Sequence, residues 1–255
     1  MQIAGQHFFI TGGGSGLGAA CARRFVAHGG AVTIADRNLP HAQLLAAELG
    51  SVALSVECDV CSTESLQAAL QQGCERLGPV RGAICCAGIL AASRVVSSQV
   101  MHDLELFRRV IEVNLIGTFN TVRIVANTML TNDPNDAGER GVLVLTSSIA
   151  AEEGQIGQAA YAASKGGIAS LVLPLAREFG RFGIRVMAIA PGVFDTPLMT
   201  AAPAAVRSSL EQQIPFPARF GQPAEFAQLV QQILENSYLN GTTLRLDGGI
   251  RMAAK

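Results

Sequence analysis

Apolar residues fall into two kinds of run that alternate along the chain. Short, nearly unbroken runs occur at His7–Thr11, 31–35, 52–56, Val80–Cys85, Gly141–Thr146, 184–189 and 242–246. Each is bounded by glycine, proline or polar residues, so each predicts a buried strand. Between them, apolar residues recur every three or four positions at 19–26, 44–49, 66–77, 104–129, 159–182 and 225–234, which predicts helices. Gly29-Gly30 and Gly78-Pro79 are stop signals for two of them. Strands alternating with helices through short joins predict an α/β fold, a single domain with a doubly wound parallel sheet of about seven strands and helices on both faces. Such sheets bind ligands beyond the carboxyl ends of their strands.

The first strand runs into Thr11-Gly12-Gly-Gly-Ser15-Gly16-Leu17-Gly18 and then a helix. Strand, glycine loop and helix N-terminus in that order make an anion site, because free N–H groups point outward and a ligand can approach the backbone closely. The spacing is a variant of the dinucleotide fingerprint and makes the predicted sheet Rossmann-type. Asp36 ends the second strand, eighteen residues beyond Gly18, near the roughly 20 expected for the acid that accepts a ribose 2′-hydroxyl. A carboxylate there repels a 2′-phosphate and favours NAD. Arg37 could accommodate that phosphate, and the acid is given the greater weight. Asp59-Val60, Cys86-Ala87-Gly88 and Pro191-Gly192-Val193 also follow strands and join the expected cofactor contacts.

The fifth strand delivers Ser148. Tyr161 follows thirteen residues on, and Lys165 four residues later. Tyr161 and Lys165 share one helix face. A nearby ammonium favours phenolate, so Tyr161 is expected to act as general acid or base, with Ser148 as a second hydroxyl on the same substrate oxygen. Asn114 lies inside a helical stretch where asparagine is neutral to unfavourable, and a solvated face is its plain explanation. Residues 191–221 hold five of the ten prolines, and 192–221 predict a substrate-covering loop.

Composition narrows the class. Of 255 residues, 49% are hydrophobic and 15% charged, favouring a large core and surface buried between subunits. A net charge of -1 without a basic run argues against a nucleic-acid footprint. No unbroken apolar run reaches the ~18 residues of a membrane span. The start of the chain meets a strand at His7, leaving no room for a signal peptide. The six cysteines lack a secreted spacing, which predicts reduced thiols and a cytoplasmic protein. Cys58-Asp-Val-Cys61 lacks a second pair or a nearby histidine, so no metal is expected.

Taken in order, Thr11-Gly12-x-x-x-Gly16-x-Gly18, Asp59, Ala87-Gly88, Asn114, Ser148, Tyr161-x-x-x-Lys165, and Pro191-Gly192 with Thr196 resemble the short-chain dehydrogenase/reductase family over essentially the whole chain. The resemblance implies Tyr161 as acid/base and Lys165 as its electrostatic partner and a ribose ligand. It implies Ser148 as orienter of the substrate oxygen, Asn114 as holder of a relay water, and Thr196 as the contact of the nicotinamide carboxamide. The family has asparagine where this chain has Cys85, so the side-chain hydrogen bond that an asparagine there would make to the loop is not expected. Glu153 to Tyr161, Gln213-Ile-Pro-Phe-Pro217, Leu239-Asn-Gly241 and Arg245-Leu-Asp-Gly248 look like the type II 3-hydroxyacyl-CoA dehydrogenase branch. That likeness implies an acyl-CoA thioester as substrate, Gln155 as a substrate contact (or a solvated loop residue), and a homotetramer. A ketone, steroid or 3-oxoacyl thioester reductase and a non-catalytic NAD(H) sensor are the rivals. The intact Ser148, Tyr161 and Lys165 argue against the sensor.

Overall fold

In the computed structural model, which describes residues 1–98, 101–200 and 204–254, one parallel sheet organises the chain. Its strands are β1 (His7–Thr11), β2 (Ala31–Asp36), β3 (Ala53–Glu57), β4 (Val80–Cys85), β5 (Gly141–Thr146), β6 (Ile184–Pro191) and β7 (Thr243–Leu246). The spatial order is β3-β2-β1-β4-β5-β6-β7. The direction of winding reverses between β1 and β4, where Thr11 pairs with Cys85, and this places the crevice beyond Gly12 and Cys86.

Every residue of β1, β5 and β6 is buried. Strands covered on both faces need apolar side chains at successive positions, which is why these segments read as unbroken runs. Phe9, Leu143 and Leu145 face one core, with α3 (Thr63–Leu77), α5 (Gly117–Met129) and α6 (Ala159–Phe179) packed over it. Phe8, Ile10, Val142 and Val144 face the other, under α1 (Gly16–Ala27), α2 (Leu39–Leu49) and α9 (Pro223–Glu235).

Helix starts lie earlier than apolar spacing predicts, because the first turns are polar and capped. The Asn38 side chain accepts the His41 N–H, so α2 starts at Leu39 rather than Leu44. Ser62 accepts the Ser65 N–H, so α3 starts at Thr63 rather than Leu66. Glu225 accepts the Gln222 N–H at 2.7 Å and opens α9 at Pro223.

Three further differences concern the site. The 104–129 stretch is α4 (Leu104–Ile111), a π-helical turn (Glu112–Ile116) and α5. Asn114 sits in that turn with no exposed surface, which corrects the expectation of a solvated face. The 192–221 segment is not a plain loop: it holds α7 (Pro197–Thr200) and α8 (Ala204–Glu211), while Pro203 lies outside the described residues. Its Leu210, Ile214 and Phe220 form a small third core with Ile149 and Ile250. Finally, Ala159–Phe182 is long and apolar enough to cross a membrane by length and composition alone. Lys165, Arg177 and Glu178 interrupt it in sequence, and its Ile168, Val172 and Leu175 pack on the sheet.

Candidate active site

The glycine loop closes on the β4 end so tightly that side chains are excluded. A Cβ on Gly12, whose φ is 63°, would lie 2.7 Å from the Ala87 nitrogen. One on Gly18 would lie 2.3 Å from the Gly12 carbonyl oxygen. Ser15 is the extended residue preceding α1, and its side chain makes no capping bond. The first-turn N–H groups of α1 therefore face the crevice without a side-chain cap.

Asp36 stands opposite. Its carboxylate accepts the Gly14 N–H at 2.9 Å and the Asn38 N–H at 2.8 Å. These bonds hold it at the rim of a cavity of about 390 Å³, which Ser15, Gly16, Leu17, Arg37, Val60 and Ala87 also border. Asp59 lines the same cavity; its carboxylate accepts the Cys61 N–H at 2.9 Å, which shapes the turn after β3. Asn120 donates to the Val60 carbonyl at 3.0 Å from the buried face of α5. Sequence reading passed over Asn120, although a polar residue within an apolar helix face was a visible sign.

A second cavity of about 210 Å³ adjoins the first, sharing Leu17, Cys86, Gly88, Ile89 and Thr196. Ser148, Gln155, Tyr161 and Lys165 line it, with Pro191, Gly192 and Val193 at the end of β6. Gly192 is anchored by its N–H to Leu246 at 2.9 Å. Ser148 caps the turn Ile149–Ala151, and its oxygen accepts the Ala150 N–H at 3.1 Å. Its hydroxyl lines the same cavity as the Tyr161 phenol and acts on it electrostatically. Burial pushes that phenol above its ordinary pKa, and the Ser148 hydroxyl opposes the rise.

Lys165 lies beside the Tyr161 ring. Its ammonium donates to the Thr146 carbonyl at 2.7 Å and lies 5.7 Å from the centre of the Tyr161 ring. The effect that draws the phenol toward phenolate comes from Ser148. Burial lowers the Lys165 pKa from 10.5 to about 8, against an opposing effect of the Cys86 and Cys85 thiols.

Asn114 spends its amide on scaffolding. Its oxygen accepts the Ile89 N–H at 2.8 Å, and its nitrogen donates to the Ile89 carbonyl at 2.9 Å and to Ser164 at 3.0 Å. The π turn aims it there, tying the segment after Gly88 to α6. The family's asparagine position is occupied by Cys85, which is buried in the sheet core, while the Thr146 hydroxyl reaches the Cys86 sulfur at 3.7 Å. All six cysteines are free thiols. Burial raises Cys58 to about 12 and Cys61 to about 11.

Gln155 is half-buried rather than solvated. It donates to the Ala253 carbonyl at 3.2 Å and accepts from Gln158. Thr196 borders both cavities beside Gly16. The apolar walls of the second cavity include Leu90, Ile149, Met199, Leu210 and Met252. None of these carried a local sequence signal.

The residues present fit a dinucleotide: a cradle without side chains, an uncapped helix end, and a fixed carboxylate at the ribose distance along the chain. Together with the tyrosine at the second cavity they define an oxidoreductase that uses a nicotinamide cofactor on a small molecule. The chain belongs to the short-chain dehydrogenase family, whose model matches residues 6–207. It is 50% identical over 253 residues to a 3-hydroxyacyl-CoA dehydrogenase type-2 from Bos taurus, covering 98% of this chain and 97% of that protein. It is 34% identical to an ipsdienol dehydrogenase from Ips pini, covering 98% of this chain and 99% of the relative. A crystal structure of 3-hydroxyacyl-CoA dehydrogenase type-2 from Mycobacterium avium superposes with a TM-score of 0.95 at 41% identity, covering 98% of each chain.

Proposed function

We propose that this enzyme oxidises a 3-hydroxyacyl-CoA thioester to the 3-oxo compound with NAD. The observation that carries the reading is that Ser148 and Tyr161 together line an apolar cavity that adjoins the glycine-loop crevice. The names of relatives near half identity support the substrate class. Asp36 supports NAD, because a second negative charge at the 2′ position would meet its carboxylate.

The bound nicotinamide supplies the hydride acceptor. Tyr161 takes the proton of the substrate hydroxyl, and Ser148 holds the same oxygen by a hydrogen bond. Lys165 binds ribose hydroxyls and places positive charge beside the proton path. Asn114 keeps Ile89 and α6 in register. The acceptor capacity it has left for a relay water is on oxygens already bonded once, its side-chain oxygen to Ile89 and its carbonyl to Thr118. Gln155 contacts the polar end of the substrate, and Thr196 the nicotinamide amide. Arg94 lines a groove that meets the substrate cavity at Gln155 and Gln158, and offers a cation to a CoA phosphate.

A homotetramer is part of the proposal, supported by the exposed apolar residues Leu104, Ile116, Phe119 and Leu173 on α4 to α6. Free thiols fit a reducing compartment such as the cytoplasm. The test is NADH formation by the purified enzyme with 3-hydroxyacyl-CoA thioesters, free alcohols and steroids, each with NAD and NADP. Faster oxidation of the thioesters with NAD is expected; indifference to the CoA group refutes the substrate class.

A further inference from the structure

The segment Ile250–Ala254 folds back across 152–156, and a cluster of charges fixes it there. Gly248 and Gly249 have φ values of 60° and 82°, which reverse the chain after β7. Ile250 is then buried in the third core with Ile149, Leu210, Ile214 and Phe220. Main-chain contacts continue from it. The Met252 N–H donates to Glu153 at 2.9 Å, Gln155 donates to the Ala253 carbonyl at 3.2 Å, and the Ile156 N–H donates to the Ala254 carbonyl at 3.0 Å.

Arg245 stands at the centre of the charges. It pairs with Asp247 at 2.7 Å, Glu152 at 2.8 Å and Glu153 at 3.0 Å. It also donates to the Ile250 carbonyl at 3.4 Å. Arg251 adds contacts to Asp247 at 3.1 Å and Glu153 at 3.4 Å. An exposed pair contributes little alone, but several partly buried charges sharing one guanidinium fix geometry. The Arg245 side chain is 22% exposed and that of Asp247 11%. The consequence lies in the cavity: Met252 lines it, together with Ser148 and Tyr161.

We propose that Arg245 is a positioning residue that clamps Ile250–Ala254 over 152–156, so that Met252 forms a fixed wall of the substrate cavity and sets the length of apolar chain the enzyme accepts. The proposal rests on the reading of this cavity as the substrate site. A thioether side chain suits such a wall, since it packs against apolar chains of differing shape. Arg245 reaches no reacting atom. Its effect passes through the main chain of Met252 and the side chain of Glu153.

The test uses two straight-chain series with NAD, 3-hydroxyacyl-CoA thioesters and free 2-alkanols, each of increasing length. Met252→Ala should move the kcat/KM optimum toward longer chains, with a gain of about tenfold for the longest members. Arg245→Met should raise KM for the preferred member by about tenfold, leave kcat and NADH affinity unchanged, and flatten the length profile. Arg245→Lys should restore part of the lost KM. NADH affinity, read by fluorescence, reports that each variant is folded. An unchanged length profile in Met252→Ala overturns the proposal even if Arg245→Met does not fold. A loss in Arg245→Met that falls on kcat or NADH affinity overturns the clamp. If only the free alcohols are oxidised, the thioester reading fails and the alcohol series decides the wall. If wild type oxidises neither series, both readings fall.

Discussion

Ser148 and Tyr161 line one cavity, and the Ser148 hydroxyl is the group that draws the phenol's pKa down against the effect of burial. Tyr161→Phe removes the proton acceptor while keeping the ring. Turnover should fall by about 10²–10⁴-fold, the range for a positioned acid or base. NADH affinity should persist. Ser148→Ala should shift the rising limb of alcohol oxidation against pH upward, because the phenolate loses the hydroxyl that stabilises it. A kcat/KM profile for each variant measures both effects; a Ser148→Ala limb that stays in place refutes the coupling.

Lys165 gives a stability signature. Its folded pKa, about 8, lies below the ordinary 10.5, so between those values the unfolded chain binds more protons than the folded one. Stability then rises with pH across that window. Below it, the buried ammonium is a cost that Lys165→Met removes. Denaturant unfolding without cofactor should show Lys165→Met gaining most on wild type near neutral pH, with the gap narrowing from pH 8 to 10.5.

Asp36 sets the cofactor preference. Asp36→Ala removes the repulsion of a 2′-phosphate and a charged hydrogen-bond acceptor. The NAD to NADP ratio of kcat/KM should fall by about 10- to 100-fold, the equivalent of one charge-assisted hydrogen bond. A ratio that stays constant would show that Asp36 does not set the preference, and a wild-type preference for NADP would show that Arg37 dominates.

Asn114→Ala should act on stability as well as rate. It leaves the Ile89 N–H and carbonyl without their buried partners. Each orphaned group costs about 1–3 kcal/mol, which thermal unfolding should register as a lower Tm. Asn114→Asp should recover the Ile89 N–H contact alone.

The exposed apolar residues Ile116 (45%), Phe119 (43%) and Leu173 (46%) predict association through the α4–α6 face. Light scattering should give a tetramer at micromolar concentration. Phe119→Lys should dissociate it, and a wild-type monomer would refute the assembly.

The strands, the glycine loop and the placing of Asp36 were legible in the sequence because each depends on neighbours within a few residues. A strand buried on both faces must be apolar throughout, and β4 and β5 stand at the predicted boundaries. Tyr161 and Lys165 were likewise joined by helical spacing alone. Tertiary structure decided what depends on distant segments. Asn114 looked like a surface residue until the π turn aimed it at Ile89, twenty-five residues back. Packing also set the anchor of the Lys165 ammonium, the Thr146 carbonyl nineteen residues back. Residues 192–221 appeared as a loop because Leu210, Ile214 and Phe220 find their partners in distant segments, at Ile149 and Ile250. Met252 reaches the cavity only because the chain reverses after β7 and meets Glu153, ninety-nine residues earlier. Periodicity encodes which face of an element is apolar. Which distant side chain fills that face is set by the packing of the whole chain.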